Sequence, residues 1–217
     1  MANLSSPRRL VTSLIFSIAS SSTAQHNQDT SNPLKDASPE TQKALLTFHV
    51  LFPNELLPAL DLLDRGLVTR FTLQESQTPM DDTLPAEEVS STLKPTAVYY
   101  VRSAQPQTRH RSAVAHTTSY EVRLEAWSCS CPAFAFAAFP AMAAESSTAV
   151  ESAEQGDDAA SGEGWKFGGL TRGSSMPACK HLLACVLVEH CSAFRGFATE
   201  QEVSIDELAG WAAGWGD

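Results

Sequence analysis

Cys129-Ser-Cys131 and Cys179-Lys-His181 set three thiols and one imidazole in two short pairs, and these are the residues best suited to chemistry. Alternate residues of a strand project to the same side, so a C-x-C pair at a strand end followed by a turn lets both sulfurs reach one ion. The C-x-H pair opens an apolar helical run, where the helix N-terminus favours thiolate over thiol. Three sulfurs and one ring nitrogen complete a tetrahedral Cys3His set for a single Zn2+ and leave no position for water or substrate. A filled set argues for a structural ion rather than metal catalysis. Zinc binding in small domains is worth on the order of 10 kcal/mol, enough to decide whether such a region folds. Cys185, one turn after His181, competes for the fourth position, and His190 and Cys191 are further candidates. On an apolar helix, Cys185 and Cys191 read as small core hydrophobes. Neither is accompanied by a Gly-rich nucleophile turn, so a cysteine–histidine hydrolase is not expected and the chain reads as non-enzymatic.

All five cysteines lie after residue 128. An odd, clustered set is a poor match to a secreted disulfide framework and a better one to a metal site in a reducing compartment. The net charge of −10 argues at first against a nucleic-acid partner. Most of that charge, however, falls in two segments, 74–93 and 140–176, and residues 94–131 are net positive through Lys94, Arg102, Arg109, Arg111 and Arg123. Bulk charge therefore neither supports nor excludes DNA binding.

The elements that must position the ligands follow from periodicity and end signals. Ser38-Pro-Glu40 predicts an N-cap, a first-turn proline and a first-turn acid for a helix over 39–51, with Leu45, Leu46, Phe48 and Leu51 near its apolar face. A second helix, 55–65, ends at Gly66, which is placed to be a left-handed cap. Asp61 and Asp64 read as residues of its solvated face. Strands are expected over 67–73, 97–102 and 120–127, the last leading straight into Cys129, with a long hairpin loop carrying Arg109 and Arg111. Pro132 begins a short helix, and residues 179–190 form a strongly apolar one. A further helix is expected over 199–213, with Ile205, Leu208 and Trp211 on one face. The fold class expected is α+β, a small antiparallel sheet of about three strands with flanking helices around the zinc site. Segments 74–95 and 140–176, polar and without periodicity, read as long disordered insertions.

Arg8 and Arg9 precede an apolar run in which Leu10, Val11, Leu14, Ile15 and Ile18 share one helical face. An amphipathic docking helix is the preferred reading, and a secretory signal is the alternative. The domain plan is then 1–37 as N-terminal helix and polar linker, 38–192 as the zinc domain with its insertions, and 193–217 as a tail with a possible docking helix.

The C-x-C…C-x-H pattern resembles the SWIM-type zinc finger. Cys129-Ser-Cys131-Pro-Ala-Phe-Ala-Phe136, Cys179-Lys-His181-Leu-Leu-Ala184 and Ala59-Leu-Asp-Leu-Leu-Asp-Arg65 followed by strand 67–73 narrow it to the SWIM proteins of the Shu complex. The likeness covers 39–73, 97–139 and 177–192. It implies a non-enzymatic nuclear protein that pairs with a RecA-fold recombinase paralogue and helps the recombinase assemble on single-stranded DNA. The zinc ligands carry over as Cys129, Cys131, Cys179 and His181. The chain departs from the family in its acidic insertion 74–95 and in a spacer of 47 residues, 132–178, between the ligand pairs. Loop entropy grows slowly with length, so the longer spacer costs only about 1 kcal/mol. A stand-alone nucleic-acid-binding finger is the other expectation, with Arg102, Arg109, Arg111, Arg123 and Lys180 on phosphates and Trp127 or Tyr99 stacked on bases.

Overall fold

The computed structural model describes residues 7–21, 37–74, 97–104, 118–139, 167–169 and 176–215. Arg109, Arg111 and most of the segments 74–95 and 140–176 lie outside them.

Ser38 caps α2 (Pro39–Leu51) as its sequence predicts, accepting the Thr41 N–H at 3.2 Å. The buried face is Thr41, Ala44 and Phe48, while Leu46, Val50 and Leu51 are exposed. The apolar face is therefore rotated from the expected one. α3 (Leu56–Asp64) follows and buries Leu56, Ala59, Leu62 and Leu63. Gly66 ends it at φ +59°, and the Leu67 N–H returns to the Leu62 carbonyl, so the left-handed cap is present. Asp61 and Asp64 are exposed.

The class is α+β, but the sheet is mixed and has five strands instead of about three. They are β1 (Val68–Leu73), β2 (Val98–Arg102), β3 (Ser119–Arg123), β4 (Ser128–Cys129) and β5 (Ala198–Val203), in the order β4-β3-β2-β1-β5. The first four pair antiparallel, and β5 lies parallel to β1, with Val68 opposite Ala198 and Leu73 opposite Val203. Two of these strands correct the expected reading. β3 stops at Arg123, and the chain turns through 124–127 to return as β4. Residues 198–203, expected to begin a helix, are an edge strand, and α7 (Ile205–Ala212) starts only after a capping box between Ser204 and Glu207.

One face of the sheet, through Val68, Tyr99, Val101 and Val122, packs on α5 (Lys180–His190). Residues 181–188 of α5 are all buried, which is what a helix apolar on every side requires. α1 (Pro7–Ser21), α3 and α6 (Ser192–Arg195) pack against it. Most of the apolar face of α1, expected to need a partner, is covered within the chain, although Leu10 is 44% exposed. Val11, Ile15 and Ile18 are buried, and the helix packs on α2 and α5. The opposite face of the sheet closes over Phe71, Val98, Tyr100 and Val203, with Trp211 of α7 at ring-centroid distances of 5.1 Å from Phe71 and 4.9 Å from Tyr100. Among the described residues, no helix is long and apolar enough to cross a membrane.

The 140–176 segment corrects a further expectation. Phe167 is fully buried in the main core, so this part of the insertion belongs to the fold.

Candidate metal centre

The β3–β4 turn contains no Gly, Pro, Asn or Asp. Trp127 takes the left-handed conformation itself, at φ 46°, the one non-glycine residue with positive φ among those described. For a bulky side chain this costs on the order of 1–3 kcal/mol and persists only when the surroundings impose it. Here they do. The indole is buried and its Nε1–H donates to the Pro177 carbonyl at 2.7 Å. The turn sends β4 back so that Cys129 lies opposite Val122, under the face that α5 covers.

Cys131 and Cys179 are each the N-cap of a helix. The Cys131 sulfur accepts the Phe134 N–H at 3.3 Å at the start of α4 (Pro132–Ala138), and the Cys179 sulfur accepts the Leu182 N–H at 3.5 Å. The Cys129 sulfur accepts the Cys131 N–H at 3.5 Å. Each of the three sulfurs thus receives one backbone donor, an arrangement that favours thiolate.

His181 stands in the first turn of α5 with its Nδ1 at 3.8 Å from the Cys129 sulfur and 4.0 Å from the Cys179 sulfur. All four ligand atoms lie within 4.8 Å of one another, and all four residues are buried. Around a tetrahedral ion with bonds of about 2.1–2.3 Å, donor atoms stand roughly 3.5–3.8 Å apart, which the two Nδ1–sulfur distances already approach. The His181 ring packs on Tyr120 at 4.8 Å, and its Nε2 is buried without a protein hydrogen-bond partner. Nδ1, facing the sulfurs, is therefore the nitrogen placed to ligate an ion.

Charge makes the same point. The Cys131 thiol is driven far below its ordinary range by hydrogen bonds from Cys129 and Cys179. Cys129 is driven far above it by its hydrogen bonds to Cys131 and Cys179, and by burial. Three thiols so close cannot all ionise unless a cation offsets them. The sequence-predicted ligands Cys129, Cys131, Cys179 and His181 are thus brought together and can hold one metal ion.

Cys185 and Cys191 are outside the cluster. Cys185 is fully buried and its thiol is raised by desolvation, while Cys191, near the Ile15 carbonyl, is pushed up to about 12 by burial. Both are inert core thiols.

Sequence reasoning missed a polar clasp at the far end of α5. Glu189 accepts from the Tyr99 hydroxyl and from Arg70 Nε at 3.1 Å. Burial opposes ionisation of Glu189, but the hydrogen bonds from Tyr99 and Arg70 outweigh it and hold the carboxyl below its ordinary range. No motif announces this group, since its members lie on β1, β2 and α5.

No family model and no curated protein matches the chain.

Proposed function

We propose that Cys129, Cys131, Cys179 and His181 hold one structural Zn2+, and that the chain is a SWIM-type zinc-finger adaptor of homologous recombination and DNA repair. In this reading it is a nuclear, non-enzymatic protein of the Shu-complex kind. It pairs with a RecA-fold recombinase paralogue and promotes recombinase filament assembly on single-stranded DNA. The observation that carries the reading is the convergence of the C-x-C and C-x-H pairs into one buried S3N cluster across the 47-residue spacer. Thiolate and imidazole donors in tetrahedral array suit zinc. The protein supplies all four donors, which favours a structural ion. The adaptor reading also draws on apolar side chains left at the surface of α2 and α3, Leu46 at 67%, Val50 at 77% and Leu57 at 58% exposed.

The stand-alone nucleic-acid reading loses its stacking platform. Trp127 and Tyr99 are both buried, and each has its polar atom engaged within the protein.

The deciding experiment is affinity capture from cells co-expressing a RecA-fold paralogue, with zinc quantified in the wild type and in Cys179→Ser. Zinc and partner are expected to disappear together. A soluble, folded wild-type monomer without affinity for such a paralogue would overturn the adaptor reading.

A further inference from the structure

The residues 167–169 lie inside a segment with no helical or strand periodicity, yet they make some of the most specific contacts in the chain. The Phe167 ring packs edge-on against Trp127 at 4.3 Å and lies tilted against Phe52 at 5.5 Å. Its N–H donates to Thr12 Oγ1 at 2.9 Å, and Arg8 Nη1 donates to the Gly169 carbonyl at 2.9 Å. Gly168 and Gly169 both have positive φ. A side chain at Gly169 would place its Cβ 2.8 Å from the Glu125 carbonyl and 3.3 Å from Trp127 Cβ, so only glycine lets the segment sit this close to the β3–β4 turn.

These contacts reach in two directions. Toward the N-terminus they hold α1, whose Thr12 and Arg8 are the hydrogen-bonding partners. Toward the metal centre they close over Trp127, which precedes Cys129 by two residues and bonds to Pro177, two residues before Cys179. The indole therefore joins the approaches to both ligand pairs, and Phe167 seats it. Packing this dense transmits displacement, because a gap beside either ring removes its contacts outright.

We propose that Phe167-Gly168-Gly169 is an anchor that couples the metal centre to the N-terminal helix, so that α1 is held on the domain in proportion to how firmly the Trp127 turn is held. The coupling rests on the zinc reading above. Coupling between two sites is reciprocal, so weakening the anchor both frees α1 and weakens zinc binding.

The test uses the full-length protein. Hydrogen exchange of α1 and zinc affinity by chelator competition are measured side by side in the wild type, Phe167→Ala and Phe167→Leu. In zinc-loaded F167A, amides of α1 are expected to exchange about tenfold faster or more. Zinc affinity is expected to fall several-fold, and F167L to restore most of both. Unchanged exchange of α1 in F167A overturns the anchor. Faster exchange with unchanged zinc affinity overturns the coupling and leaves the zinc reading standing. A wild type that binds no zinc removes the zinc reading and the coupling together, while the exchange data still judge the anchor. If F167A does not fold, Gly169→Ala and Thr12→Val, which keep the aromatic ring, report on the same contact. Unchanged α1 exchange in both variants overturns the anchor.

Discussion

At its first turn α5 is tied to the rest of the domain by sulfur and imidazole, through Cys179 and His181 facing Cys129 and Cys131. At its last turn the tie is an ion pair and a phenol, through Glu189 facing Arg70 and Tyr99. The two ends hold the same apolar helix against the same sheet by different means. The thiols repel one another's ionisation and need a cation to become a stabilising unit. The clasp is complete within the protein, because its carboxylate meets its own positive charge and its own hydroxyl donor. On the zinc reading proposed above, one end of the helix depends on a bound ion, while the other is held by groups the protein supplies itself.

The sharpest way to break this comparison is at the metal end. Cys179→Ser removes one ligand and the N-cap sulfur of α5 together. Structural zinc contributes on the order of 10 kcal/mol in small domains, so the variant is expected to lose its zinc and its cooperative unfolding transition. Zinc quantification with urea-induced unfolding checks this, and chelation of the wild type should reproduce it.

At the other end, Glu189→Gln keeps the shape and removes the charge. Arg70 is left with a weaker acceptor, its side chain only 14% exposed. The expected cost is about 1–3 kcal/mol in urea unfolding, with zinc content unchanged. The sign with pH follows from the depressed carboxyl of Glu189. In acid the unfolded chain binds the proton first, so the contribution is full above the unfolded carboxyl pKa of about 4.3 and fades as pH falls through the lower folded value. The acid limb of the stability curve should be shallower in E189Q, whereas chelation should act at neutral pH and lose its effect in acid, where protonation of the thiols and imidazole has already released the ion.

The two ends also differ in how far the sequence reveals them. C-x-C and C-x-H are local patterns of rare residues, and local spacing is what a chain displays directly. Arg70, Tyr99 and Glu189 are 29 and 90 positions apart, and only the strand pairing and the packing of α5 make them neighbours. The helix ends were legible wherever side chains cap locally, at Ser38 and at Gly66. The β3–β4 turn was not, because Trp127 adopts its positive φ under tertiary packing and no turn residue marks the place. The periodicity predicts a helix over 199–213, yet residues 198–203 form a strand, and Ser204-Ile-Asp-Glu207 carries the signal for where the helix begins. Phe167 was invisible for the same reason as the clasp. A single aromatic in an aperiodic stretch shows no pattern until the residues it packs against are known.

A milder substitution sharpens what the clasp consists of. Tyr99→Phe leaves the buried ring in place and deletes only the hydroxyl that Glu189 accepts from. Arg70 Nε remains at 3.1 Å from the carboxylate, so about 1 kcal/mol is expected, less than for E189Q. An equal loss in the two variants, read from urea midpoints, would mean that the phenol contributes as much to the tie as the charge of Glu189 does.

The smallest effect belongs to a pair of the same chemical type placed in water. Asp61 and Arg65 approach to 3.4 Å on α3 and its C-cap, with side chains 56% and 47% exposed. Solvent and salt screen such a pair, and holding two long side chains together costs entropy. Asp61→Asn should therefore change stability by no more than about 0.5 kcal/mol. Arg70–Glu189 has a similar separation, and what distinguishes it is enclosure by the sheet and α5 together with a second donor from Tyr99. Comparing D61N with E189Q in the same urea titration isolates that difference. If the two cost the same, enclosure adds nothing to the Arg70–Glu189 pair, and the apolar packing of residues 181–188 carries more of the hold on α5 than the clasp does.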